Sequence, residues 1–140
     1  MAPNTRSRDG ILTGLAIAMG LLAFSNLTKP ISQTFSPESS VGFVLFGHRL
    51  HGFANAVVGP LFGLTLAAYA YGVWTMRRWV LPLSIGYAAY VVVNLALYTM
   101  IDPSIGSDVS LAQFAGYALV AIGFSGGGAV YLYLNRDRLS

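Results

Sequence analysis

The sequence predicts an all-α integral membrane protein, a four-transmembrane-helix bundle with both termini cytoplasmic. Three observations carry this reading. Hydrophobic residues make up 55% of the 140-residue chain and charged residues only 9%, whereas soluble domains are roughly one quarter charged. The apolar residues fall into four long runs joined by short polar stretches. Six of the eight basic residues (Arg6, Arg8, Arg77, Arg78, Arg136 and Arg138) sit on alternate connections, and such segments remain cytoplasmic under the positive-inside rule. A single multi-pass domain over residues 1–140, in a cell membrane of bacterial inner-membrane type, is the expected arrangement.

The first span is expected over residues 11–28, a stretch of 18 residues without a charge. At the rise of an α-helix this is about 27 Å, close to a hydrocarbon core of roughly 30 Å. Its basic start and Ala23-Phe24-Ser25 loosely resemble a signal peptide, but it is read as a retained span. Lys29-Pro30 predicts a stop, because proline disfavours a helical residue before it. Residues 29–49 then form an outer loop and an interfacial helical segment, with Ser36-Pro37-Glu38 as a turn and helix start. Whether residues 41–53 lie flat or extend the second span is left open by the sequence.

The second span is expected over residues 50–75, with Pro60 removing one backbone donor. Arg77-Arg78 makes a very short inner turn. The third span covers residues 80–100. An outer loop carrying Asp102 and Asp108 follows, and the fourth span covers residues 112–135.

Helices in lipid associate through close backbone approach and interhelical hydrogen bonds rather than through the hydrophobic effect. Gly59 with Gly63, and Gly123 with Gly127, are GxxxG patterns that mark expected packing faces. Polar residues should face the bundle interior or water. On a continuous helix the 100° advance per residue would put His48, His51, Asn55 and Gly59 within roughly 80° of one another. Arg49 would point about 100° from His48 by the same spacing, toward headgroups or an acid such as Asp102. Asn94 on the third span, and Asn26 and Gln113 near the outer ends of the first and fourth, bring a polar residue to the outer third of every helix.

These residues define the candidate site: His48, Arg49, His51, Asn55 and Asn94, in contact with a ligand or a protein partner. Small loops, small-residue faces and absent catalytic motifs favour an accessory or interaction subunit of a membrane complex, or a homo-oligomer, surrounded by membrane lipids. The alternative is a quinone, lipid or other small ligand held in an outer-leaflet polar layer, with Phe43, Phe46, Phe53 and Phe62 as apolar walls. Haem or metal through His48 or His51 is weaker. Two histidines three apart on one helix cannot clasp an iron from both sides, and a metal would need Glu38, Asp102 or Asp108 as a further ligand.

No cofactor is therefore predicted. The chain has no cysteine, which removes thiol catalysis and Fe–S clusters. No basic run exceeds two residues, so nucleic acid is not an expected partner. No nucleophile elbow, HExxH, P-loop or dinucleotide fingerprint occurs, and no enzymatic activity is expected.

Overall fold

A computed structural model describes residues 8–35, 43–101 and 110–140. Four helices dominate: α1 (Gly10–Phe35), α2 (Gly52–Trp74), α3 (Val80–Ile101) and α4 (Leu111–Leu134). Between α1 and α2 lies a small antiparallel hairpin of β1 (Val44–Leu45) and β2 (His48–Arg49), in the register Val44 to Arg49 and Leu45 to His48. A single 3-10 turn, Arg136–Arg138, follows α4. All four helices are long and apolar enough to cross a membrane by length and composition. A helix thus lies at each of the four expected stretches, its bounds within a few residues, with one exception.

The exception is α1, which does not stop at Lys29-Pro30 but continues to Phe35 with Pro30 inside it. Proline at that position removes the amide that would bond to the carbonyl four residues back, on Asn26. That carbonyl faces α2 at Gly59, where an added Cβ would lie 3.5 Å from the oxygen. The expected outer loop is therefore helical over residues 29–35. The expected turn at Ser36-Pro37-Glu38 lies outside the described residues.

The helices form two close pairs. α1 and α2 pack along their length, and α3 lies against α4. Across the pairs the contact is made largely by big aromatic side chains. Phe62 of α2 lies 6.2 Å from Tyr87 and 5.0 Å from Tyr90 of α3, centroid to centroid, and Tyr69 lies 5.9 Å from Tyr87. The buried core runs from Leu12, Leu15 and Met19 through Leu66, Tyr69 and Val73 to Val80 and Leu132.

Three of the basic segments meet at one end. An Arg8 guanidinium nitrogen donates to the Trp74 carbonyl at 2.7 Å, and the group lies 3.5 Å over the Trp74 ring. Arg138 pairs with Asp9 at 2.7 Å. The Arg78 amide donates to the Ser140 carbonyl at 2.9 Å, and the Ser140 amide to the Met76 carbonyl at 2.7 Å. The charge pattern groups the same three segments. The hairpin occupies the other end, beside the last turns of α3.

Candidate functional site

The hairpin is built on a two-residue turn, Phe46-Gly47, with φ of +49° and +82°. Positive φ at both central positions is the mark of a type I′ turn, whose twist suits a tight hairpin. Glycine adopts it without strain, whereas phenylalanine is an unusual choice. Gly47 has a second reason to lack a side chain. A Cβ there would sit 2.8 Å from the backbone of Leu97, so the turn rests directly on α3.

Polar groups from two helices fasten the hairpin. The Phe43 amide donates to Oδ1 of the fully buried Asn55 at 2.8 Å. The Gly47 amide donates to Oδ1 of Asn94 at 3.3 Å. Tyr90 donates its hydroxyl to the Val44 carbonyl at 3.0 Å, and Arg49 donates to the Tyr98 hydroxyl at 3.1 Å. Phe43 packs on Phe62 with centroids 4.7 Å apart, and Phe46 on Tyr90 at 5.9 Å. The hairpin therefore caps α2 and α3 together.

This geometry corrects the histidine stripe. His48 lies on β2 and His51 immediately before the first residue of α2. They do not share a helical face, because the helix begins only at Gly52. Both side chains are exposed and neither lines the cavity described below. The reason is local: the chain runs extended from His48 to His51, between the hairpin turn at Phe46-Gly47 and the helix start at Gly52, and both glycines take positive φ. Arg49 engages Tyr98, and its expected acidic partner Asp102 lies outside the described residues. Gln113 serves a local role in a capping box with Ser110, its backbone N–H donating to the Ser110 hydroxyl at 3.2 Å. Of the expected aromatic walls, Phe46 and Phe53 are exposed, at 50% and 85%, and neither lines that cavity.

Asn26 and Asn94 do converge. They line a crevice of about 310 Å³ between the two helix pairs, below the hairpin. Phe43, Phe62, Tyr87 and Tyr90 give it aromatic walls, and Lys29 supplies a cation. Lys29 turns inward. Its ammonium donates to Oδ1 of Asn26 at 2.9 Å and lies 5.5 Å from the centre of the Phe43 ring. Asn26 is held in turn by its own amide, which donates to the Leu22 carbonyl at 2.8 Å. The exposed lining residues, Leu22, Ser25 and Tyr117, belong to α1 and α4, so the crevice opens between those helices.

Sequence reasoning missed Lys29, Tyr87, Tyr90 and Tyr117. Lys29-Pro30 reads as a helix stop, which places Lys29 in a loop. With the helix continued, Asn26 and Lys29 fall three residues apart on one face, which was the available signal.

The glycine pairs divide. Gly63 packs within the bundle: an added Cβ would lie 2.9 Å from Leu27 Cγ and 3.1 Å from the Ala23 carbonyl oxygen. Gly59 is buried on the same α1–α2 contact. Gly123 and Gly127 have open space where a Cβ would be, along a shallow groove between α1 and α4. Their expected packing role finds no partner helix within the described chain.

Among the described residues no three of His, Cys, Asp and Glu come together as a metal site. Glu38, Asp102 and Asp108, the other candidate ligands, lie outside them. The chain matches no family model, no curated protein and no solved structure.

Proposed function

We propose that this chain is a small multi-pass membrane protein that binds an amphipathic small molecule, of the lipid or quinone class, in the crevice beneath its hairpin. One observation carries the reading. An apolar, aromatic-walled cavity receives a few convergent polar groups, Asn26, Lys29 and Asn94, and opens sideways between α1 and α4. That combination suits a molecule with a polar head and an apolar body. The basic end then faces the cytoplasm, consistent with the grouping of Arg8, Arg78 and Arg138, and the hairpin end faces the outside of a bacterial inner membrane.

Purification in a mild detergent, organic extraction and mass spectrometry of the extract test this. The expected result is one amphiphile retained in near-stoichiometric amount by the wild type and lost from Ala121→Trp, which fills the crevice from α4. Equal retention by both proteins refutes it.

A second reading, an accessory subunit or homo-oligomer, draws support from the unoccupied space beside Gly123 and Gly127. Small residues let a partner helix approach closely. Cross-linking in membranes from cysteines placed at these two positions is the direct check; dimers or a trapped partner are expected, and their absence counts against it.

A further inference from the structure

We infer that the head of the bound molecule is anionic and is neutralised by Lys29, so that the ligand is an acyl-chain amphiphile bearing a carboxylate or phosphate. The inference rests on the crevice reading above and adds charge to it.

An ammonium carries three N–H donors. One goes to Asn26, and the face of the Phe43 ring accepts part of the charge. A cation within about 6 Å of an aromatic centroid gains only modestly from that contact. Lysine near a helix end ordinarily stretches its stem so that the charge reaches water or headgroups. Lys29 instead folds back onto Asn26, three residues earlier in α1, and is half-buried.

A charge removed from water is costly unless an opposite charge accompanies it. The described residues contain only two acids, Asp9 and Asp137, and both lie at the opposite, basic end. Among the described residues nothing of opposite charge lines the crevice. A neutral head such as a quinone carbonyl would accept a hydrogen bond but leave the charge uncompensated. An anionic head supplies both.

The remaining polar groups suit the same head. Asn94 lines the crevice from α3 and Ser25 from α1, each with a donor to offer. The volume of about 310 Å³ is small for a ligand pocket. It admits a head and the first part of one chain. The rest of the chain leaves between α1 and α4, past Leu22 and Tyr117, into the acyl region of the membrane.

The test uses the full chain reconstituted in phosphatidylcholine vesicles. The probe is stearic acid spin-labelled near its methyl end, compared with its methyl ester. In alkaline buffer, where the acid is ionised, electron paramagnetic resonance reads the immobilised fraction. The acid should bind about tenfold more tightly than the ester. Lys29→Gln should reduce the acid to the level of the ester, and Lys29→Arg should preserve the preference. Displacement of the label by added phosphatidylglycerol identifies a phospholipid phosphate as the preferred head; failure to displace it identifies a free carboxylate. Equal binding of acid and ester, unchanged in Lys29→Gln but lost in Ala121→Trp, overturns the anionic head and leaves the crevice reading standing. Binding of both probes unaffected by Ala121→Trp overturns the crevice reading itself.

Discussion

The amide of Phe43 donates to the side-chain oxygen of Asn55 at 2.8 Å, and Asn55 is wholly buried. One asparagine on α2 thus satisfies the backbone at the point where the hairpin begins. Replacing it with leucine leaves a buried donor without its acceptor, which costs about 1–3 kcal/mol. Asn55→Leu should lower the unfolding midpoint in a detergent titration. It should also speed hydrogen exchange at the Phe43 amide more than at amides in the middle of α4. Uniform acceleration across the molecule would mean that the hairpin is not a separate opening unit.

The two glycine pairs should respond in opposite ways. Gly63→Ala pushes a methyl group into Leu27 and the Ala23 carbonyl, and overpacking of this kind costs about 1–3 kcal/mol. Gly123→Ala meets nothing within 4 Å and should leave the unfolding midpoint unchanged or higher. Chemical unfolding of the two variants side by side checks this. A loss of stability in Gly123→Ala would reveal a neighbour on that face.

Tyr69 is fully buried, and among the described residues its hydroxyl has no hydrogen-bond partner. Ser84, its polar neighbour, donates to the Leu81 carbonyl at 2.7 Å. Removing an unsatisfied buried hydroxyl while keeping the ring should relieve desolvation. Tyr69→Phe is therefore expected to stabilise the protein by about 1 kcal/mol. A destabilised variant would show that the hydroxyl is bonded, for instance through a water.

The basic end should be sensitive to acid. The carboxyl of Asp9 is held at about 2, below its ordinary 3.8, first by the Leu12 amide, then by the Tyr131 hydroxyl and the Arg138 guanidinium. A depressed folded-state value means the unfolded chain takes up the proton first. The stabilisation is complete above about pH 4 and is lost as pH falls through about 2. Thermal unfolding across this window should show a decline that is shallower in Asp9→Asn, which should also be less stable at neutral pH. Parallel curves for the two proteins would refute the role of Asp9.

The four apolar runs and the company kept by the basic segments were legible because lipid leaves few choices. A spanning segment must be long, apolar and internally hydrogen-bonded. The site was harder to read. The sequence offers Asn55 and Asn94 as ligand- or partner-binding residues; in the structure each accepts a hydrogen bond from a backbone amide of the hairpin. The histidines share no helical face because residues 48–51 are extended and the helix starts only at Gly52, which helical periodicity alone does not reveal. Lys29 was hidden by Pro30. Local sequence rules favour a stop there, but α1 continues through Pro30 to Phe35. The inward turn of a lysine depends on which neighbours the tertiary structure supplies, and no single-segment pattern encodes that.

The hairpin precedes α2 in the chain but leans on α3 through Gly47, Tyr90 and Tyr98. During synthesis, the first two helices are therefore made before the surface that finishes their cap. Until the third helix arrives, the Gly47 amide has no Asn94 and the Val44 carbonyl no Tyr90. The nascent first pair must wait with an incompletely folded cap, and translation order becomes a constraint on how this protein matures.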